Sequence, residues 1–522
     1  MTRRALKRLF PWTVIAIVAL GFALRFPFLT SRSLWFDEAF SWRLIGYFPS
    51  SEFFTRAAAD VHPVLYYLLL WFWMLPARGT GPETTLLWLR ALSVLFGAAT
   101  VAAMILAGRV LFRSRWVACA AGLLTAVSAF QIQYAWEARM YTLGTVLVPL
   151  AMAALVRVAE VRSRGNVWWA GLGFGGALGA LLHVHYYALF SWVALGAAKL
   201  AYFLGRMRRG ASTVLRSPNF HAAEVGFWLS ALLFLPQVPV FFAQAQRVQE
   251  AYWIPRIGAW SIPNTFARLF WGGAGDISPV WAVLASLAAL FFVVFPLLRG
   301  RSFGDLVAAT SFVIPLLLSA AVSLRTSVYL DRYFLFASLG LLLLLARTVS
   351  FLPSRLRMAI LVALAGFGFL SVTHFWQQLD FPRHPGARAA AAFLAETAMP
   401  SEPIVVSSPF AYFPLSFHLG CDVRGGSCRE GRSVRLYSET GEVAHFAGAP
   451  ILTPNDIVGP EVLTSHVSRL IPRLWVVDTT GFGGSSLPVP PSYRLASETR
   501  FSELFAFQGD IIVRKYVFEP IN

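Results

Sequence analysis

The chain repeats one pattern about eleven times: some twenty apolar residues followed by a short polar break. A helical run of that length covers a bilayer hydrocarbon core of roughly 30 Å. In lipid the backbone must satisfy its own N–H and C=O groups, and a helix does so within one segment. The runs fall at 10–29, 85–108, 116–134, 142–159, 167–184, 187–204, 225–243, 280–298, 305–323, 333–350 and 358–376. They predict a polytopic α-helical membrane protein. The first run has no small-residue cleavage site and reads as a retained span rather than a signal peptide. Charged residues make up only 13% of the chain, against about 25% in soluble domains.

The formal net charge is +18, which on a soluble protein would point to nucleic acid. Here its distribution decides. With the N-terminus inside, the short inner segments carry Arg109, Arg113 and Arg115, then Arg206, Arg208 and Arg209, then Arg299 and Arg301, then Arg355 and Arg357. That is the positive-inside bias of a multi-pass protein, and it argues against a nucleic-acid partner. Eleven spans leave the C-terminal part outside. The apolar stretch 64–75 is the ambiguous element. It is short, aromatic-rich and bracketed by Pro63 and Pro76, so it reads as an interfacial helix. As a further span it would put the later basic clusters on the wrong side.

Residues 1–380 are expected to form the membrane part, with 30–84 as a long first outer segment. Beyond 380 the composition turns polar. A helix is expected at 385–399 and strands at 404–407, 474–478 and 510–518, a soluble α/β domain over 381–522. Cys421 and Cys428 flank a short glycine-containing loop in this outward part, where oxidation is permitted. They can form a local disulfide or stay as two thiols, and the disulfide is favoured. Cys119 lies in a span and reads as packing.

The chemistry-bearing residues gather in the outer segments. Asp37 and Glu38 follow the first span, next to Trp35 and Phe36. Acids there can simply favour a helix N-terminus. Alternatively, a carboxylate beside a low-dielectric wall becomes a better base at neutral pH, with its neighbour orienting it. His62 precedes Pro63 and can face a phosphate or simply the solvent. Glu137, Arg139 and Tyr141 share one short outer loop, where a guanidinium suits a lipid phosphate and interfacial anchoring is the alternative. His185 lies at the outer end of a span, too close in sequence to His183 for the two to face one another on a helix. Arg332 and Tyr333 sit at another outer boundary beside Asp331, and Arg247 and Arg256 in the 244–279 loop. Ionisable groups at membrane depth are costly and by default functional.

In this order, the runs Leu-Trp-Phe-Asp-Glu-Ala at 34–39, His-Pro-Val-Leu-Tyr-Tyr at 62–67, Glu-Ala-Arg-Met-Tyr at 137–141, His-Val-His-Tyr-Tyr at 183–187 and Asp-Arg-Tyr-Phe at 331–334 resemble a known group. It is the GT-C class of polyprenyl-phosphate-sugar-dependent glycosyltransferases. Within it the pattern is similar to the dolichyl-phosphate-mannose protein mannosyltransferase family and its bacterial relatives, which include the aminoarabinose lipid A transferases. The resemblance covers 1–376. It implies a GT-C fold of about eleven transmembrane helices with a C-terminal α/β domain, in a bacterial inner membrane, with site and domain facing the periplasm. It implies Asp37 as general base with Glu38 beside it, and Glu137 as a second acid near the donor. His62 stands where some relatives carry lysine, and Arg247 and Arg256 compete for the phosphate contact of the third outer loop.

The reaction implied is an inverting transfer of a hexose or pentose from a polyprenyl-phosphate sugar to an acceptor hydroxyl. No cofactor is expected, and a divalent metal is not indicated. Membrane lipids are expected partners, and the acceptor is a glycan, lipid or protein. The competing class is a lipid or glycolipid flippase. It is disfavoured because no acid stands at midspan and no matched pair of broken helices is evident.

Overall fold

The structure, a computed structural model, describes residues 3–161, 163–250, 254–273, 275–425, 427–463 and 471–519. They fall into two compact units: 1–27 with 91–242 and 252–376, and 28–90 with 243–251 and 377–522.

The first unit is helical. A helix stands at each position where the sequence predicts a span. Among the described residues, eight helices are long and apolar enough to cross a bilayer. The count is nine if Arg115–Ala126 and Ala129–Ala135, bent by 58° at their junction, form one span. Leu9–Arg25 is a shorter apolar helix, and Arg164–Leu182 is rich in glycine. Length and apolarity thus support a multi-pass membrane protein with fewer clear spans than eleven.

Serine caps punctuate the chain between helices. Ser114, Ser217 and Ser278 each accept a backbone N–H from the first helical turn that follows, and Ser302 with Asp305 forms a capping box. The buried Asp305 also pairs with Arg347 at 3.0 Å, tying two helices together. Elsewhere small residues allow close approach. A Cβ on Gly226 would lie 2.3 Å from the Gly171 carbonyl oxygen, so Arg164–Leu182 and Pro218–Phe234 pack backbone to backbone.

The second unit contains a six-stranded sheet in the order β3-β2-β1-β4-β6-β5. Its strands are β1 Ile404–Val406, β2 Val434–Tyr437, β3 Ile457–Val458, β4 Arg473–Thr479, β5 Tyr493–Ser502 and β6 Asp510–Phe518. β1 pairs in parallel with β2 and β4, and β2 with β3; β6 and β5 complete the sheet antiparallel. The helices Gly386–Thr397 and Pro409–His418 flank β1 in sequence. Val405, Leu474, Val476, Leu487 and Tyr493 form a core cluster on this sheet.

The same unit takes in 28–90, which the sequence reading grouped with the membrane part up to 380. This segment folds into the helices Phe36–Ile45, Ser51–Ala59 and Leu65–Trp73 and the start of Pro82–Phe112. Phe36 packs on Phe410 and Phe413, and Trp42 on Phe417. Arg43, 1% exposed, pairs with the fully buried Asp456 at 2.5 Å, and the Tyr412 hydroxyl donates to the other carboxylate oxygen. Leu65–Trp73 has nine residues, about 14 Å of helix, too short to cross a bilayer.

Candidate active site

Asp37 and Glu38 occupy the first turn of Phe36–Ile45, where the positive end of the helix dipole favours acids. The two neighbours have different surroundings. Glu38 is fully buried: Arg90 donates to it twice, Nε to Oε1 at 2.8 Å and Nη2 to Oε2 at 2.6 Å, and Arg32 adds a contact at 3.1 Å. This fork matches a carboxylate in two places at once. Arg90 also donates to the carbonyls of Leu29, Arg32 and Ser33. One guanidinium thus fixes the chain entering the helix and the acid in its first turn. Asp37 is only half-buried. The arrangement suits Glu38 to holding geometry, and leaves Asp37 the more exposed of the two.

The approach to this turn is fixed from the other side by His418. Its Nε2 accepts the Leu34 N–H at 3.1 Å and lies 3.3 Å from the Ser33 hydroxyl. An accepting nitrogen carries no proton. Burial, with the charges of Arg388 and Arg90, pushes this ring well below the ordinary histidine range.

His62 lies in the same unit, its Nδ1 3.2 Å from Asp60. The Tyr67 hydroxyl reaches the same Asp60 oxygen at 3.5 Å, and the Tyr67 ring lies 6.4 Å from Phe40 of the Phe36–Ile45 helix. Arg247 donates to the Ala58 carbonyl at 2.9 Å, and Gln244 to those of Ala57 and Ala58. Both therefore cap the C-terminal end of Ser51–Ala59.

The helical unit holds the other expected residues. Glu137 and Arg139, 5% and 4% exposed, lie in the connection between Ala129–Ala135 and Tyr141–Glu160. Trp136 beside them donates to the Arg25 carbonyl at 2.7 Å. Tyr141, His185 and Tyr333 form one aromatic cluster, with His185 ring distances of 5.9 Å and 5.1 Å. Tyr187 joins it 4.3 Å from Tyr333. Tyr134, 5.6 Å from Tyr141, lies within electrostatic reach of Glu137, Asp331 and Arg332. Asp331 pairs with Arg268 at 2.9 Å and accepts from Thr265. Arg256 is exposed. Asp37, Glu38, His62 and Arg247 thus belong to one unit and Glu137, Arg139, Tyr141, His185, Arg256, Arg332 and Tyr333 to the other.

Cys421 and Cys428 form the disulfide that the sequence favoured. Among the described residues, no group of three or more His, Cys, Asp or Glu side chains is arranged to hold a metal ion. Sequence reasoning missed Arg90 and Arg25. Arg25 donates to the carbonyls of Gly21, Thr125 and Ala126. Both are lone charges at the edge of an apolar run, which was the available signal.

The apolar helices and the C-terminal sheet domain are those of a multi-pass membrane protein, and its fold is that of solved GT-C structures. Solved GT-C structures are its neighbours. The crystal structure of ArnT from Cupriavidus metallidurans bound to undecaprenyl phosphate has 13% identity and a TM-score of 0.61, over 96% of this chain and 97% of that one. The apo form of the same protein gives 14% and 0.63 over the same shares. The archaeal oligosaccharyltransferase AglB from Archaeoglobus fulgidus, in complex with an inhibitory peptide and a dolichol-phosphate, gives 12% and 0.54 over 91% of this chain and 69% of that one. At these identities the likeness is one of fold. Neither a protein-family model nor a curated protein sequence matches the chain.

Proposed function

We propose that this chain is a membrane glycosyltransferase that moves a sugar, a hexose or pentose, from a polyprenyl-phosphate donor to an acceptor hydroxyl outside the cytoplasm. The observation that carries the reading is the fold shared over nearly the whole chain with ArnT bound to undecaprenyl phosphate. The dolichol-phosphate in the AglB complex supports the same donor class. The unequal carboxylates of the Phe36–Ile45 helix fit it. In the proposed step Asp37 accepts the acceptor hydroxyl's proton and that oxygen bonds to the anomeric carbon. The bond from that carbon to the phosphate oxygen breaks, and polyprenyl phosphate departs with the electron pair.

A single displacement inverts the anomeric centre. Arg139, Arg332 or His62 is the proposed partner of the departing phosphate, whose stabilisation would be the largest catalytic contribution. Glu38 is assigned to holding Asp37 through Arg90.

The test is to reconstitute the protein in lipid with labelled polyprenyl-phosphate sugars and membranes as acceptor source. Transfer of label with an inverted anomeric signal by NMR supports the reading. Binding of lipid phosphate without consumption of any donor would move the protein to the flippase class.

A further inference from the structure

Within the second unit a cavity of about 410 Å³ lies between the Phe36–Ile45 helix, residues 71–85 and the disulfide loop. That volume is in the range of small-ligand sites. Its walls include Trp42, Phe48, Trp71 and Phe417, and its rim carries Arg78 and Arg429. Among the described residues, the lining includes no carboxylate. Of the nearby acids, Glu430 pairs with Arg432 and Glu83 with Arg388, while Asp422 accepts the Arg424 backbone N–H at 2.7 Å. The site thus has aromatic walls and two guanidiniums at its edge.

The two guanidiniums are held in place by apolar and backbone contacts. Arg78 is exposed and lies 4.6 Å over the Trp71 ring. Arg429, also exposed, donates one N–H to the Thr80 carbonyl at 3.4 Å. Its stem crosses Gly420, where a Cβ would sit 2.8 Å from Arg429 Cδ and the backbone has a φ of +66°. Glycine there allows the arginine to lie along the rim. Each guanidinium keeps further donors in the planar fork that recognises carboxylate or phosphate. The aromatic rings offer flat faces for the C–H face of a sugar ring, while Thr80 donates to the Ala77 carbonyl and pairs with Thr85.

We propose that this cavity is a saccharide-binding subsite for an acceptor that carries an acidic group, a carboxylate or a phosphate. Its role as an acceptor site rests on the glycosyltransferase reading; its capacity to bind an acidic saccharide does not. Trp42 and Ile45 line it from the helix that begins with the Asp37 turn. Five to eight residues of helix separate them from Asp37, about 8 to 12 Å along the axis. A saccharide anchored by its acidic group in the cavity could extend a hydroxyl along this helix toward Asp37.

The experiment is calorimetric titration of the full chain in detergent with three disaccharides: one ending in a uronic acid, one phosphorylated and one neutral. The acidic ligands are expected to bind at least about tenfold more tightly than the neutral one, a difference that two charge-assisted contacts readily supply. The tighter of the two identifies the acid group. R78Q/R429Q should abolish the preference, while R78K/R429K, which keeps the charge without the fork, should retain part of it. Both pairs lie on exposed positions, and thermal unfolding of each variant checks that the fold is kept. Equal binding of acidic and neutral ligands, no binding of any, or an unchanged preference in R78Q/R429Q would overturn the proposal. Donor turnover in the same preparations separates the two claims. Wild type that binds acidic saccharides but consumes no donor refutes the transferase and leaves the subsite standing.

Discussion

Glu38→Gln offers the sharpest separation of roles within the acidic pair. Glu38 accepts two bonds from Arg90, at 2.8 and 2.6 Å, and one from Arg32 at 3.1 Å, with no exposure of its own. Glutamine keeps the shape but loses the charge and turns one acceptor into a donor that faces a guanidinium. Arg90 is 1% exposed and cannot recover its partner from water. Breaking one side of such a buried pair costs about 3–5 kcal/mol. For a domain-sized unit that corresponds to a fall in unfolding temperature of about 6 °C or more. Asp37→Asn, at a half-buried position one residue earlier where water can solvate the new side chain, should cost less. Heating both variants in detergent and following the monomer peak by fluorescence-detected chromatography measures the contrast. Glu38→Gln unfolding within about one degree of wild type, or Asp37→Asn falling as far as Glu38→Gln, would refute the assignment of Glu38 to holding geometry.

Other consequences are testable by similar means. Asp456→Asn should destabilise the second unit by about 3 kcal/mol, because Arg43 is left buried without its carboxylate; chemical unfolding monitored by tryptophan fluorescence reads this. Opening the Cys421–Cys428 bridge with a reductant, or by Cys421→Ser with Cys428→Ser, should cost about 2.5 kcal/mol from the short closed loop. Reductant should then have no effect on the double serine variant. Burial pushes the Glu503 carboxyl up to about 7, only partly offset by the Ala387 N–H that it accepts and the charge of Arg32. A buried acid that holds its proton in the fold but loses it on unfolding stabilises at low pH. That contribution should therefore decline from about pH 4.5 to pH 7, and Glu503→Gln should lose this part of the pH dependence that wild type shows.

The periodic apolar runs were legible because bilayer thickness imposes their length, and helices stand where each was expected. The strands around 404, 474 and 510 were legible from β-branched runs bounded by turn residues, and so was the short helix within 64–75. The acidic pair at 37 and 38 could be singled out from its neighbours, but not the difference between its members. That difference depends on Arg90, 52 residues downstream, and only the fold brings the two together. Arg43 and Asp456 lie 413 residues apart, and no local pattern links them. The grouping of 28–90 with the sheet was hidden for the same reason: Phe36, Trp42 and Arg43 look like ordinary interfacial residues until Phe410, Phe417 and Asp456 are placed against them. The Arg247 cap on Ser51–Ala59 is a further case, since an arginine in an outer loop gives no sign of which carbonyl it will meet.

The most direct test of the account is the rate at which Asp37→Asn releases polyprenyl phosphate from a polyprenyl-phosphate sugar in reconstituted membranes. Removing a general base of this kind should slow release by about 100-fold or more while donor binding stays at the wild-type level. Release at the wild-type rate from Asp37→Asn would contradict the assignment of Asp37 as the base.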